Sequence, residues 1–395
     1  MLWTKLSIGL LLTMFSSQLI YAAPFIPTDD LQILETLPTD SPSPRYSSVS
    51  DLTATTTLNS ADNAKQLLER AYLEGDPRAL GQARAQLDQS EDQSIETLML
   101  RARALQSDHR FTQAKEILAQ ILNQDPAHPD ALLTLSSLLV VQGQFDEAMD
   151  YCDQLNDPSL EVYQAACIAQ IQSMTGKLSQ AKQTLNSLAS LAPRLDASTA
   201  LWIYLIQADA ALRSSDTALA NQVFAVIDDQ TVPALMARAD WLLSIGKYQQ
   251  VIDLLQNHTD KDALLLRLIE AQMKMGDPKA DANLALMKER IDVWQLRGEK
   301  AHTREQAMYA LLAKQNDDAL NLAQDNWQEQ RETADIVLYT TAAIKADSQK
   351  DIKIIRQFIS DTQFEYPTLE RALILGKIEE CLNCTATQAM NKDKS

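Results

Sequence analysis

The side chains able to do chemistry in this chain are few, and its four cysteines come first. Cys381 and Cys384 stand in "CLNC", the C-x-x-C spacing used by redox pairs and metal ribbons. A redox pair needs a thiolate of lowered pKa, commonly at a helix N-terminus beside strands. This pair instead ends a helical pattern with no strand pattern near it. Thr385 follows Cys384 where c-type haem attachment requires His. A structural disulfide or two idle thiols is the expectation, with a thiol-disulfide assistant that cycles Cys381 and Cys384 as the alternative. Cys152 and Cys167 fall on helices expected to be neighbours. Either they bridge, closing a loop worth roughly 3 kcal/mol of chain entropy, or they are two small buried hydrophobes.

His109, His128, His258 and His302 are scattered without H-E-x-x-H or any other ligand spacing. The chain has no glycine-rich phosphate loop, no nucleophile elbow and no Ser, His and Asp set that stands out. Its many carboxylates read as a solvated face on an acidic chain. No catalytic residue, metal or cofactor is expected, and the chain is read as not an enzyme.

Such a sequence must do its work through shape, so the elements come next. The chain opens "MLWTKLSIGLLLTMFSSQLIYAAPF", with one Lys, an apolar run from Ile8 to Ile20 and small residues at Ala22 and Ala23. This is the layout of a secretory signal peptide over residues 1–23, and the apolar run is short for a bilayer span of roughly 20 residues. No later stretch approaches spanning length, so an exported, soluble protein is expected, periplasmic if bacterial. Residues 24–60 hold five of the 13 prolines and many Ser and Thr, and read as a flexible leader. The formal net charge of -18 leaves no clustered Lys and Arg to neutralise phosphate, which argues against nucleic acid and anionic membrane as partners.

After Ala61 the pattern changes. "ADNAKQLLERAYLEGDPRALGQARAQLDQ" places Ala64, Leu67, Leu68 and Ala71 on one helical face, breaks at Gly75 to Pro77, and resumes with Leu80, Ala83 and Leu87. Further breaks fall at Ser107–His109, Gly143, Gly176, Ser214–Asp216, Gly246, Gly276, Gln315–Asp317 and Ser348–Lys350. Their spacing, about 30 to 39 residues, fits two helices of three to four turns with their loops. One such hairpin cannot cover its own apolar faces, so a run of them must stack into a solenoid with a continuous core. The expectation is an all-α, right-handed solenoid of about nine hairpins over residues 61–385, closed by a terminal helix around "TLERALILGKIEECL" and followed by a disordered tail at 386–395.

"FTQAKEIL" and "FDEAMDYC" repeat one sentence 34 positions apart. Phe111, Ala114, Leu118 and Pro126 in one unit, and Phe145, Ala148, Cys152 and Pro158 in the next, resemble the second helix of the tetratricopeptide repeat. Leu178, Ala181, Leu185 and Pro193 continue the pattern, and residues 98 to 257 carry it best. The Trp, Leu, Gly and Tyr signature of the family's first helix is mostly missing, with Leu135, Leu139, Ala169 and Ala239 in those places.

The resemblance implies that the first helix of each hairpin lines a concave groove that holds a segment of a protein partner. Carried over unit by unit, the groove positions are Met99 and Arg103; Leu133 and Ser137; Tyr163 and Gln170; Trp202 and Asp209; Met236 and Asp240; then Glu270 and Met273. Asp209, Asp240 and Glu270 would form a ladder of carboxylates flanked by Trp202, Met236 and Met273. Such a strip suits an envelope or secreted protein segment with spaced Lys or Arg. Arg103, Ser137 and Gln170 lack the Lys, Arg and Asn set with which family members clamp chaperone C-termini. The expected function is a non-enzymatic protein-interaction scaffold of the cell envelope, serving assembly or maturation of a complex there. A pocket for a small envelope ligand, hinted at by Tyr163, Trp202 and Tyr204, is a further alternative.

Overall fold

The computed structural model describes residues 60–227, 231–296 and 302–376, all within the compact unit Leu58–Ser395. The signal-peptide segment, the leader, Cys381, Cys384 and the tail lie outside the described residues. Within them the chain is an all-α solenoid with no strand, only one isolated bridge between Thr175 and Phe364.

Nine hairpins follow one another. They are α1 (Ser60–Glu74) with α2 (Pro77–Gln89), α3 (Ile95–Ser107) with α4 (Phe111–Gln124), and α5 (Pro129–Val141) with α6 (Phe145–Asp153). Then come α7 (Glu161–Met174) with α8 (Leu178–Leu191), α9 (Ala197–Ser214) with α10 (Thr217–Phe224), and α11 (Val232–Ser244) with α12 (Tyr248–Leu255). The last three are α13 (Asp262–Met275) with α14 (Lys279–Leu296), α15 (Thr303–Leu312) with α16 (Asn316–Glu329), and α17 (Thr333–Lys345) with α18 (Gln349–Thr362). A single helix, α19 (Pro367–Leu375), is the last of the described elements. Helix α19 stops at Gly376, in the left-handed conformation, and "KIEECL" after it lies outside the described residues. A glycine there ends the helix because it has no Cβ to oppose positive φ.

Local chemistry sets these boundaries. The side chains of Asp76, Ser94, Asp196, Asp216 and Thr231 each accept from a backbone N–H of the helix that follows, satisfying donors with no intrahelical partner. Every turn inside a hairpin contains one residue with φ between 51 and 72°: Gly75, His109, Gly143, Gly176, Ser215, Gly246, Gly276, Lys314 and Asp347. That left-handed step reverses the chain while later N–H groups bond back onto the helix end, as Gln144 N–H does to Leu139 O at 2.8 Å.

The repeated small residues sit where helices cross. Ala114, Ala148, Ala181, Ala220 and Ala319 are wholly buried, and Val251 occupies the same place in the sixth hairpin. Without a long side chain at the crossing, the paired helices approach at the short end of the usual range. Phe111, Phe145 and Leu178 open the second helices and are buried, as the repeated pattern requires.

The solenoid also returns upon itself, which periodicity alone does not specify. A Cβ built on Gly75 would lie 3.2 Å from Val232, and α1 packs on α11. The His109 turn faces Arg304 of α15, the Gly143 turn meets Arg331 and Phe358, and Thr175 bridges Phe364. Hairpins two to five thus carry the last hairpins directly on their turns. One apolar cluster consequently joins Leu118, Leu139 and Phe145 of the early hairpins with Trp327, Tyr339 and Phe364 of the late ones. Phe358 binds the two layers, 6.3 Å from Phe145 and 5.0 Å edge-on from Trp327, separations at which aromatic pairs attract.

Candidate functional site

The residues implied as groove positions all lie on first helices, α3, α5, α7, α9, α11 and α13. Met99 is buried, Met273 is exposed, and the others are half-buried. Arg103 pairs with Asp130 at 3.4 Å across neighbouring hairpins. Trp202 packs against two of the apolar clusters and Met236 against a third, so both belong in part to the core. Leu133 likewise packs on the first cluster. Tyr163 and Met273 are taken up by none of the apolar clusters and remain available on this face.

Two of the three ladder carboxylates, Asp209 and Asp240, have counter-ions within the protein. Asp209 accepts from Arg213 Nε at 2.9 Å, one helical turn on, and the Arg213 side chain is fully buried. Asp240 takes both arms of Arg267, at 2.6 and 2.8 Å, in the parallel two-bond geometry that guanidinium and carboxylate share. Burial works against the Arg267 charge, but the Asp240 carboxylate outweighs it and raises the pKa above its ordinary value. Asp209 and Asp240 both act on the buried hydroxyl of Tyr366, whose pKa rises chiefly through burial and then through those charges. Asp209 and Asp240 are therefore partly exposed carboxylates whose charge is compensated from beneath by buried guanidinium groups.

A second polar centre ties α15 to α17. Arg304 donates to Asp335 at 2.6 and 2.8 Å, to Glu332 at 2.6 Å and to Gln330 at 2.8 Å. Asp335, with no exposed side-chain surface, also accepts from Asn326 at 2.7 Å and from the Glu332 N–H at 2.9 Å. Each carboxylate oxygen of Asp335 thus accepts from two donors, the condition under which a buried carboxylate is tolerated. Beside it, His109 has its pKa lowered, first by burial and then by the Arg304 charge. An open cleft between the His109 turn and α16 is lined by acidic Asp108, Asp325 and Glu329 together with Arg110, Phe111 and Thr303. Among the described residues no three His, Cys, Asp or Glu side chains converge as metal ligands, and no helix is long and apolar enough to cross a membrane.

Cys152 and Cys167 are bonded, joining the second helix of the third hairpin to the first helix of the fourth. Both sulfurs are buried, and the Ser136 hydroxyl lies within 3.2 and 3.3 Å of them. The bridge fastens the third hairpin to the fourth.

Sequence patterns missed the residues that close the structure on itself. Arg213, Arg331, Phe358, Phe364 and Glu365 make the contacts between early and late hairpins. The only available sign was a pair of aromatics, Phe358 and Phe364, near the end of a chain with few of them.

No curated protein matches this chain. A family model described as tetratricopeptide repeat matches residues 105–161, the stretch from the end of α3 to the start of α7. That stretch contains the two hairpin turns at His109 and Gly143 and both copies of the aromatic–alanine sentence. The matched residues thus carry the tetratricopeptide repeat, and hairpins of the same build are repeated on either side of them.

Proposed function

We propose that this protein is a non-enzymatic scaffold of the cell envelope that holds a segment of a partner protein against the inner faces of its first helices. Repeats of this kind generally mediate protein–protein interaction, because stacked helices offer a long surface with variable side chains on a constant frame. The observation that carries the reading is the contrast between the two helix faces: second helices repeat their packing residues, whereas inner positions such as Tyr163, Asp240 and Met273 differ from unit to unit. Because Asp209 and Asp240 are already paired with the buried Arg213 and Arg267, they do not call for a purely basic run in the partner segment.

Export is supported by the signal-like sequence at residues 1–23 and by the Cys152–Cys167 bond, since disulfides persist in oxidising compartments. The natural setting is assembly or maturation of an envelope complex.

Two measurements test this. Residues 1–60 fused to a reporter active only outside the cytoplasm should give activity; a silent reporter would remove the envelope assignment. Crosslinking and pull-down with the full chain should recover a protein partner, and Tyr163→Ala with Met273→Glu should reduce that recovery without altering helicity. Equal recovery by the variant would place the interface elsewhere.

A further inference from the structure

Between α18 and α19 the chain is not helical, and its four residues make an unusual set of contacts. Gln363 takes the left-handed conformation at φ 55°, and Phe364 then pairs in antiparallel fashion with Thr175 in the turn of the fourth hairpin. The Glu365 N–H donates to Met174 O at 2.9 Å, and its carboxylate accepts from the Leu178 N–H at 3.3 Å. Leu178 is the first residue of α8, a helix of 14 residues, where free N–H groups and the helix dipole favour an anion. The Arg213 guanidinium donates to the Glu365 carbonyl oxygen at 3.3 Å and lies over the Phe364 ring, 5.8 Å from its centre.

Phe364 and Tyr366 are buried, while Glu365 between them is half-buried. An extended backbone bonded to a receptor backbone, with alternate side chains in apolar sites, is the way a strand-like peptide is held. Without the strap Arg213 would keep Asp209 and Ser173 as partners, while the Met174 carbonyl and the Leu178 N–H would be left for another strand to satisfy. Beyond the strap, α19 buries Leu369, Ala372 and Leu373 on one face and leaves Ile374 and Leu375 exposed at 76% and 55% on the other.

We propose that Phe364–Glu365–Tyr366 is an internal ligand, and that the partner of this scaffold presents an extended aromatic–acidic–aromatic segment that takes its place. The proposal rests on the scaffold reading and adds the chemistry of the bound segment. A partner strand would pair with Thr175, set its carboxylate at the start of α8 and bring its first aromatic ring under Arg213. The strap is the resident competitor, and it limits binding to segments that match both aromatic sites and the acidic position.

The test uses the full chain and a fluorescent peptide of the strap's own sequence, residues 361–368. A Phe364→Ala/Tyr366→Ala chain should bind this peptide saturably, and the wild type at least roughly tenfold more weakly, because its site is mostly filled. Replacing the central Glu of the peptide by Lys should abolish binding. In the wild type, excess peptide should also speed hydrogen exchange at the Glu365 amide, which is otherwise bonded to Met174.

A helical variant that ignores the peptide, or that binds the Glu and Lys forms alike, overturns the proposal. Should the variant fail to fold, unchanged Glu365 exchange in the wild type at saturating peptide overturns it equally. None of these readouts requires a native partner, so failure of the scaffold reading would show separately, as a pull-down without a protein.

Discussion

The backbone N–H of Arg331 donates to the carbonyl oxygen of Val141 at 2.7 Å, joining the start of the ninth hairpin to the end of α5. Val141 is the last residue of its helix, where carbonyls have no intrahelical donor. Glu365 does the same for Met174, the last residue of α7. The late hairpins thus complete the helix ends of the early ones, and the stack gains contacts that neighbouring repeats alone do not supply.

Gly143 sits in this seam with φ +71°, and a Cβ there would fall 2.9 Å from Phe358 and 3.2 Å from Arg331. Gly143→Ala should therefore cost about 1–3 kcal/mol, from left-handed strain and from displacing an aromatic ring shared by both layers. Urea denaturation checks it. Gly276→Ala, with the same sign of φ but nothing within 4 Å of the added atom, should cost less.

Removing the disulfide should act on the unfolded chain more than on the folded contacts. Cys152→Ala with Cys167→Ala should lower stability by about 3 kcal/mol through lost loop constraint, whereas the helical content at 25 °C stays the same. Comparison of denaturation midpoints with and without reductant in the wild type gives the same quantity by a second route. A wild type indifferent to reductant under partly unfolding conditions would contradict it.

Arg304 donates twice to the fully buried Asp335. Arg304→Met should destabilise by about 3–5 kcal/mol, because a buried carboxylate is left uncompensated. Adding Asp335→Asn should recover part of that loss, and a double-mutant cycle measures how much.

Asp196 caps α9 through the Thr199 N–H at 3.0 Å and accepts from the Ser198 and Thr199 hydroxyls. Those hydroxyl bonds, Ser198 first, lower its pKa to about 2. A folded pKa below the unfolded one stabilises fully above roughly 3.9 and loses that contribution as pH falls through the folded value. Asp196→Ala should cost about 1 kcal/mol at neutral pH, and the difference from wild type should shrink between about pH 4 and 2. His109 carries the other acid-side effect. Its pKa is lowered by burial, so the stability it adds as a neutral ring is present above roughly 6.5 and declines as pH falls below that value. His109→Gln should flatten the stability profile in that window.

The sequence by itself determined the hairpin as a unit. Gly and short polar breaks, together with the Ala spacing seen at Ala114 and Ala148, set the turns and crossings, because these depend on residues within one repeat. Helix count, turn positions and the tetratricopeptide resemblance were all legible at that range. The exact partners of the groove residues were not: Asp209 and Asp240 were visible as acids, but Arg213 lies one turn further along the helix and Arg267 on the next first helix, so pairing depended on how the wall curved. Whether Cys152 met Cys167 likewise hung on the separation of their helices, 5.7 Å between Cα atoms. Tertiary structure alone decided that the late hairpins lie on the early turns. Contacts such as Val141 with Arg331 and Thr175 with Phe364 follow from the accumulated rotation of many repeats, and no local pattern records a sum of small angles.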